Sequence, residues 1–297
     1  MSQLGRRALL GGFALAAVVL VAPTPATSVT PADPAVAVLA PPPITIEPSP
    51  APPEPNYAQA IVDAARTAVP ATGTFGMAVL DLQTGALAVD GTGQFYSASL
   101  SKLMLVVDML DRDVPLSPAD QSLIQRALGE SDDNAMNSLW VKFGGPAAMS
   151  RIAGSLGMVA TEASADSSQW GEVKVSPAGL TRLYQHIMVE MPADDHALVV
   201  TALNAAPPKA TDGFDQYFGL LGGPLKAFAK QGWMYYGNRL HLHSAGVVTV
   251  GEHQFAVALM SIQPPSSEAA RGALTAIAAT MQRGFPGTVD AAPGVTP

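Results

Sequence analysis

The order of strand-like and helix-like segments is the feature that most restricts the fold of this chain. Apolar runs typical of strands occur near both ends, at 75–82, 86–89, 228–235, 240–250 and 254–262. The first two are joined by a predicted turn at Gln83-Thr84-Gly85. Helical spacing fills the interval between the two groups. We therefore expect one sheet that is completed by N-terminal and C-terminal segments of the chain.

Helices are predicted where apolar residues recur three and four positions apart. They lie at 57–69, 97–110, 118–128, 132–143, 146–156, 176–189 and 266–281. The helix at 176 begins with Ser176-Pro177, because serine caps a helix well and proline is tolerated in the first turn. Hydrophobic residues make up 48% of the chain, so a large core can form.

The N-terminus has the pattern of an export signal. Arg6-Arg7 is followed by an apolar run at 8–22, which is about 15 residues and shorter than the roughly 20 that span a membrane. Together with the small residues Thr24-Pro25-Ala26, this predicts a signal peptide over 1–26, of the Sec or twin-arginine type. An uncleaved N-terminal membrane anchor is the alternative interpretation. Under either interpretation, the protein is predicted to be secreted or to lie in the cell envelope.

Prolines crowd the next segment, 27–55, which includes Pro41-Pro42-Pro43. Proline fixes φ and lacks a backbone donor, so this segment is predicted to be an extended spacer. A folded domain is expected over 56–286, followed by a short tail at 287–297.

Composition excludes several classes of function. The formal charge is -8 and no basic cluster is present, so nucleic acid is not an expected partner. The absence of cysteine excludes disulfides, thiolate metal sites, cysteine nucleophiles and a lipid anchor attached through cysteine. His241 and His243 alternate on a predicted strand, but two histidines without a placed carboxylate are more often packing or surface residues. No metal or other cofactor is expected.

Ser99 and Lys102 are the first candidates for chemistry, at the start of the helix over 97–110. Residues three apart share a helix face, so the Lys102 amine can lie beside the Ser99 hydroxyl. A serine hydroxyl becomes an effective nucleophile when a neighbouring base takes its proton. Burial among the apolar residues 103–107 would depress the lysine pKa and favour that base. The alternative interpretation is a helix start capped by serine.

Two further motifs follow along the chain. Ser131-Asp132-Asp133 opens a predicted helix, where an ordinary N-cap is the alternative interpretation. Lys230-Gln231-Gly232 lies on a predicted strand, where a solvated edge lysine is the alternative. Lys142-Phe143-Gly144 has the same lysine-x-glycine form, but it ends a helix and is not expected to take part. Trp170 and Trp233 are candidates for the wall of a cleft, and packing in the core is the favoured interpretation for Trp170.

Together these motifs resemble the serine β-lactamase and penicillin-binding protein (D,D-peptidase) superfamily, most closely its class A β-lactamases. That superfamily has a serine followed by lysine three residues later, a Ser-Asp-Asn triplet and a Lys-Thr-Gly strand. The flanking segments 95–98 and 144–148 strengthen the similarity, which covers nearly all of 56–286. The resemblance implies an α+β fold, in which helices flank an antiparallel sheet of about five strands and form a helical subdomain.

The resemblance also implies catalytic roles for the matching residues. Ser99 would form the acyl-enzyme and Lys102 would accept its proton. Ser131 would relay a proton to the leaving nitrogen, while Lys230 would hold a substrate carboxylate and tune that relay. Backbone N–H groups of Ser99 and Trp233 would form an oxyanion hole. The implied partner is a peptidoglycan stem peptide or a β-lactam-like small molecule.

Four further positions are expected to contact substrate, and two of them depart from the family pattern. Gly232 would let a substrate lie against the strand, and Asn137 matches a later asparagine of the family. Asp133 replaces the asparagine of the triplet, and an ionised carboxylate cannot donate a hydrogen bond to a substrate carbonyl. Gln231 replaces a threonine or serine whose hydroxyl normally contacts a substrate carboxylate.

The base for deacylation is a third departure. Class A relatives use a loop glutamate in a Glu-x-x-x-Asn setting, whereas the segment Glu162-Ala163-Ser164-Ala165-Asp166 ends in a carboxylate and is interpreted as a polar loop. Without a placed base an acyl-serine persists, so inefficient β-lactam hydrolysis is predicted. The expected function is an exported serine acyl-transfer hydrolase. A catalytically degenerate cell-wall-binding protein of the same fold is the alternative.

Overall fold

The computed structural model describes residues 55–91 and 93–287. The predicted signal peptide, the spacer except Pro55 and the tail except Gly287 lie outside these residues. Within this part of the chain, the α-helices are α1 Tyr57–Arg66, α2 Leu100–Asp111, α3 Pro118–Leu128, α4 Asp133–Phe143, α5 Gly145–Leu156, α6 Pro177–Gln185, α7 Ala193–Asn204 and α8 Ser267–Thr280. Each of them falls short of the length and apolar character that crossing a bilayer requires.

The strands form one large and one small antiparallel sheet. They are β1 Thr74–Asp81, β2 Leu87–Asp90, β3 Phe95–Tyr96, β4 Lys174–Val175, β5 Ala227–Tyr236, β6 Arg239–Val250 and β7 His253–Gln263. The large sheet has the order β2-β1-β7-β6-β5, and β3 pairs with β4 separately. Because β1 pairs with β7, segments from both ends complete one sheet, and the predicted α+β class with a five-stranded antiparallel sheet is confirmed. Strand β5 lies at one edge.

Both faces of the large sheet are covered by helices. In β7, Val257 and Leu259 belong to a buried cluster with α1 and α8, whereas Ala256 and Ala258 belong to a cluster with helices α2 to α7. This alternation is the two-residue period of a strand, and apolar residues at both phases are typical of a strand that is buried on both sides.

Helix α2 lies inside the second cluster, and every residue from Leu100 to Leu110 is buried. Two of these residues are charged, Lys102 and Asp108. The Asp108 carboxylate is held by Arg151, whose Nε and Nη2 lie 2.9 and 2.8 Å from its two oxygens. Such a paired, bidentate contact compensates for the loss of hydration. The Lys102 amine needs a comparable set of partners, and it finds them in the site described below.

The structure contains elements that the sequence does not predict. Helix α7 lies in the interval between Val189 and the first of the C-terminal strands, and β3 and β4 form a two-stranded pair. The helix predicted over 176–189 ends as α6 at Gln185 and continues as the π-helical segment His186–Glu190. The helix predicted over 97–110 begins only at Leu100.

Gly246 allows β6 to lie close to β5. A Cβ atom at this position would lie 2.1 Å from the Phe228 carbonyl oxygen and 2.7 Å from Ala229 Cα. Ala229 directly precedes Lys230, so the glycine sets the backbone spacing beside one of the candidate site residues.

We expect Gly246→Ala to lower the free energy of unfolding by about 1–3 kcal/mol, because the added methyl group overpacks the sheet. Gly272→Ala in α8 is the matched control, since a Cβ there would meet nothing within 4 Å. It should raise the free energy of unfolding by about 0.5–1 kcal/mol. Urea unfolding followed by circular dichroism measures both changes. Equal midpoints for wild type and Gly246→Ala would contradict this account of the sheet.

Candidate active site

Ser99 lies at the N-terminus of α2, and its side chain does not cap the helix. Its hydroxyl instead accepts a hydrogen bond from Lys102 Nζ at 2.9 Å, one turn along the helix. The preceding residue, Ala98, has a φ of 48°, and its N–H donates to the Gly171 carbonyl oxygen at 2.9 Å. Left-handed backbone is unfavourable for alanine, so contacts with the surrounding protein must hold the turn that presents Ser99.

Ser131 lies just before α4, and the residue that caps this helix is Asp132. The Asp132 carboxylate accepts hydrogen bonds from the N–H groups of Asn134 at 2.8 Å and Ala135 at 3.1 Å. The interpretation of Ser131 as the N-cap is therefore wrong by one residue. Ser131 has a φ of 54°, a conformation that costs a serine free energy, and its hydroxyl faces the buried lysines.

Two lysine amines converge on the Ser131 hydroxyl. Lys230 Nζ lies 2.9 Å from Ser131 Oγ and Lys102 Nζ lies 3.3 Å from it. Lys102 Nζ also donates to the Ser131 carbonyl oxygen at 2.6 Å, and Lys230 Nζ donates to the Gln231 carbonyl oxygen at 2.9 Å. Both lysines are completely buried. The structure thus brings Ser99, Lys102, Ser131 and Lys230 into one hydrogen-bonded network.

Burial changes the protonation of both amines. It lowers the pKa of Lys102 below the usual lysine value, and the Asp133 carboxylate, whose Oδ1 lies 2.7 Å from Lys102 Nζ, opposes this effect. Burial lowers the pKa of Lys230 well below the usual value, and the neighbouring Lys102 lowers it further. Both shifts favour the neutral amine, which is the form that can take up a proton from a hydroxyl.

Gln231 and Gly232 lie on β5 and are not among the residues that line the cleft described next. Gln231 Nε2 donates to the carbonyl oxygens of Gln216 at 2.8 Å and Phe218 at 2.7 Å, so this side chain holds the loop that precedes β5. A Cβ atom at Gly232 would lie 3.0 Å from the Ser97 carbonyl oxygen, so glycine lets β5 pass close to the turn before α2. Both placements favour positioning of the backbone over contact with substrate.

A cleft of about 630 Å³ opens beside the lysine–serine network. Its walls come from the turn before α2, the first turns of α4, the segment 168–171, a loop before β5, and β5 itself. Four of the residues singled out in the sequence line it, namely Ser99, Asp133, Asn137 and Trp233. The candidate nucleophile is therefore accessible from the cleft, although its lysine partner is buried.

Two indole rings flank the cleft. Trp170 lines the cleft and is also partly buried against the core cluster, so both roles considered for it are found. Trp170 Nε1 donates to Asn137 Oδ1 at 2.9 Å. Trp233 Nε1 donates to Asp212 Oδ2 at 2.9 Å, and its ring stacks on Phe214 with centroids 4.7 Å apart. Each ring is held by a hydrogen bond and therefore forms a fixed wall.

Asp212 is a cleft residue that the sequence analysis misses. Its Oδ1 accepts a hydrogen bond from the Phe214 N–H at 2.9 Å, and the adjacent Thr211 N–H donates to the Glu130 carbonyl oxygen at 3.0 Å. The local signal is the Thr211-Asp212-Gly213 sequence, which is typical of a turn. That signal gives the conformation of the loop but not its approach to β5.

The loop carboxylates compared with the deacylating base of class A enzymes lie elsewhere. Glu162 pairs with Lys174 at 3.1 Å and accepts a hydrogen bond from Gln94 Nε2 at 2.9 Å. Asp166 accepts from the Ser168 N–H at 2.9 Å. In the part of the chain that the structure describes, neither carboxylate lines the cleft. This placement agrees with the interpretation of a polar loop.

The two alternating histidines face the same side of β6 and are engaged within the protein. His243 Nε2 lies 2.8 Å from the Tyr96 carbonyl oxygen, and His243 Nδ1 accepts from the Ser261 N–H at 3.2 Å. Burial, together with His241, lowers the pKa of His243 to about 3, so the ring is neutral. The His241 ring packs against Tyr96, with centroids 5.3 Å apart. Among residues 55–91 and 93–287, no three His, Asp or Glu side chains group as a metal site would require.

Comparison with known proteins gives the family. The sequence over residues 117–284 matches the family model described as the beta-lactamase enzyme family. This chain belongs to that family. The matched segment includes Ser131 and Lys230, while Ser99 and Lys102 precede it. The protein named "Putative lipoprotein LppW" in Mycobacterium tuberculosis and Mycobacterium bovis is 30% identical over 218 residues, which cover 70% of this chain and 69% of that protein.

Solved β-lactamase structures are similar in fold. A class A β-lactamase from Bacteroides cellulosilyticus superposes with a TM-score of 0.62 at 14% identity, covering 78% of this chain and 99% of that one. A β-lactamase from Burkholderia vietnamiensis gives a TM-score of 0.60 at 18% identity, covering 79% and 98%. These similarities confirm the predicted fold, and the match to the family model confirms the predicted superfamily.

Because the Lys230 amine is buried, we expect the free energy of unfolding to depend on pH. Because the pKa of this amine in the folded protein lies well below that of a lysine in the unfolded chain, unfolding takes up a proton between the two values. The free energy of unfolding should therefore rise as the pH increases through this window. For one group the slope is at most about 1.4 kcal/mol per pH unit.

We expect Lys230→Met to remove this contribution, so that its stability rises less than that of wild type between about pH 7 and pH 10. Lys226→Met, at an exposed lysine just before β5, is the matched control and should keep the wild-type slope. Urea unfolding at each pH gives the free energies. Parallel profiles for wild type and Lys230→Met would contradict a lowered pKa of the buried amine.

Proposed function

We propose that this protein is a serine acyl-transfer hydrolase of the cell envelope, with Ser99 as nucleophile and Lys102 as base. The observation that carries the proposal is the 2.9 Å contact between Lys102 Nζ and Ser99 Oγ at the edge of an open cleft. Burial of the amine favours the neutral form that can accept the hydroxyl proton.

In the proposed reaction, Ser99 Oγ bonds to the carbonyl carbon of an amide or ester while its proton moves to Lys102 Nζ. The tetrahedral intermediate then collapses, and the bond from this carbon to the leaving nitrogen or oxygen breaks. Ser131 gives its hydroxyl proton to the leaving group and regains one from Lys102, a route supported by their 3.3 Å contact. Water later hydrolyses the acyl-serine. The proposed oxyanion hole is formed by the N–H groups of Ser99 and Trp233, which both line the cleft.

The proposed substrate is a cell-wall peptide, a β-lactam or a related amide or ester. Strand β5 lies at the edge of the sheet beside the cleft, which suits an extended peptide that adds to the sheet. The name of the mycobacterial relative describes a lipoprotein, which supports an association with the envelope. This chain has no cysteine to carry such a lipid, so the segment 1–26 is the proposed means of export.

We expect the acyl-enzyme to be long-lived. Deacylation needs a base that activates water beside the acyl carbon. Glu162 is engaged by Lys174 and Gln94, and Asp133 is paired with Lys102. The proposal therefore includes acylation of Ser99 but not efficient β-lactam hydrolysis.

Covalent labelling tests the nucleophile. The full chain is incubated with a fluorescent penicillin and, separately, with a fluorophosphonate, and intact mass counts the adducts. We expect Ser99→Ala to reduce labelling by at least about 10³-fold, because the attacking oxygen is gone. Ser168→Ala, at an exposed serine on the wall of the same cleft, is the matched control and should label like wild type. Lack of Ser99-dependent labelling by both reagents would overturn the proposal.

A non-enzymatic cell-wall-binding protein of the same fold is the second candidate. It is favoured by Asp133, a carboxylate where the family has an amide, and by Gln231, whose side chain is used within the protein. If it holds, binding to peptidoglycan in a pull-down survives Ser99→Ala unchanged and no acylation occurs. Turnover of any peptide substrate excludes it.

Asp133 should set the pH at which Ser99 becomes reactive. Burial lowers the pKa of Lys102 and the Asp133 carboxylate raises it, so Asp133→Asn should lower this pKa. The increase of the acylation rate with pH should then move to lower pH. Asp212→Asn removes a weaker contribution of the same sign and should move the profile less. A move to higher pH would contradict the assignment of Lys102 as the base.

A further inference from the structure

The charged side chains on the walls of the cleft are carboxylates. Asp133 stands at the start of α4 with 63% of its side chain exposed, and Asp212 stands on the loop before β5. In residues 55–91 and 93–287, no lysine or arginine lines this cleft. The two nearby amines, of Lys102 and Lys230, are completely buried and donate to protein oxygens. A ligand entering the cleft therefore meets an acidic surface.

We propose that this cleft selects an amide or ester whose acyl group carries an ammonium or guanidinium, where the family resemblance implies a carboxylate. The proposal rests on the proposed function for its acylation step, and it names the charge of the substrate. Asp133, the Asp212 loop and the side chains of β5 support this charge preference.

Asp133 places an acceptor of hydrogen bonds where the family has an amide that can also donate them. An asparagine amide can both donate and accept, whereas an ionised carboxylate only accepts. Asp133 Oδ1 already accepts from Lys102 Nζ, and the carboxylate has further lone pairs toward the cleft. The complementary substrate group is a donor, and a cationic donor gains most from the charge. A substrate carboxylate placed there would meet a like charge.

The Asp212 loop adds a second carboxylate to the wall of the cleft. Asp212 is oriented by Trp233 Nε1 and by the Phe214 N–H, so the carboxylate is fixed at the wall. Thr211 Oγ1 lies 3.5 Å from Glu130 Oε2, which brings another exposed carboxylate near the same loop. A positive substrate group in the cleft would be attracted by both Asp133 and Asp212, which line it.

The two indoles complete a surface suited to a cation on an alkyl stem. Trp170 and Trp233 line the cleft, and each ring already lies near a lysine amine, 4.9 Å from Lys102 Nζ and 5.8 Å from Lys230 Nζ. Tryptophan is the aromatic side chain that attracts cations most strongly, and apolar stems pack well against its ring.

The groups that the resemblance assigns to a substrate carboxylate are engaged inside the protein. Lys230 Nζ donates to Ser131 Oγ and to the Gln231 carbonyl oxygen. The Gln231 amide donates to the Gln216 and Phe218 carbonyl oxygens, and it replaces the family hydroxyl. The Lys230 amine and the Gln231 amide are thus used inside the protein and do not present donors to a substrate carboxylate in this cleft.

The test uses three p-nitrophenyl esters with the same five-methylene chain and leaving group. They are 6-guanidinohexanoate, its neutral isostere 6-ureidohexanoate, and the monoester of heptanedioic acid, which carries a carboxylate. Release of nitrophenolate gives the acylation rate of the full chain, and the rate of Ser99→Ala is subtracted. Intact mass confirms the adduct. We expect the guanidino ester to react at least about tenfold faster than the ureido ester, equivalent to about 1.4 kcal/mol, and the carboxylate ester to be slowest.

Variants that remove one carboxylate distinguish the effect of charges in the cleft from the effect of the total charge of the protein. Asp212→Asn should reduce the ratio of the guanidino rate to the ureido rate several-fold, and any change in the acylation step that the two esters share cancels in this ratio. Asp194→Asn, which removes an exposed carboxylate on α7 outside the cleft, should leave the preference unchanged. High salt should weaken the preference, because exposed charges are screened.

Two outcomes distinguish failure of this inference from failure of the proposed function. Ser99-dependent acylation at equal rates for the three esters, or fastest with the carboxylate ester, overturns the cationic preference and leaves the acylation proposal standing. No Ser99-dependent acylation with any ester overturns the proposed function. Binding then decides the charge preference, by titrating Ser99→Ala with the corresponding guanidino and ureido amides and following tryptophan fluorescence. Equal affinities overturn it, and tighter guanidino binding supports it.

Discussion

Two lysine amines that share one serine hydroxyl in the interior are the contact on which this site depends. Lys102 comes from α2, Lys230 from β5, and Ser131 from the loop that precedes α4. Neither amine is paired with a buried carboxylate, so carbonyl and hydroxyl oxygens supply most of its partners, while the exposed Asp133 supplies the countercharge for Lys102. This arrangement disfavours a positive charge on each amine. Burying the two amines therefore costs folding free energy, but it also favours the neutral form that can accept a proton. The burial of α2 and the edge position of β5 serve to bring these amines together.

The fold indicates which family the protein belongs to, whereas the residues that line the cleft indicate which ligand it can bind. Membership of the beta-lactamase enzyme family and a similar overall fold agree with a network that joins the proposed nucleophile, the two lysines and Ser131. They do not account for Asp133 and Asp212, which set the charge that a ligand meets in the cleft. A family can keep its buried amines while it changes the residues that meet a ligand, because the amines lie beneath the cleft and the two carboxylates line its walls.

Much of the fold follows from local patterns in the sequence. Helix α3 has the predicted bounds, because Ser117 and Asp120 form a capping box around Pro118. The ordered motifs also predict that Ser99, Lys102, Ser131 and Lys230 meet. The remaining features depend on long-range contacts that no local pattern contains. Examples are the pairing of β3 with β4 and the approach of the Asp212 loop to Trp233. Asp132 rather than Ser131 caps α4 because tertiary contacts with two lysines hold the serine outside the helix.

The backbone at Ser131 has a consequence for how this protein could change. Its φ of 54° lies in a region that glycine adopts without penalty and that serine occupies at a cost in free energy. Exchanging this serine for glycine would relieve the backbone, but it would also remove the hydroxyl that joins the two buried amines and leave each of them short of a partner. The strained conformation is therefore kept in place by the two amines, and a change that freed either amine would also remove the reason for a serine with left-handed backbone.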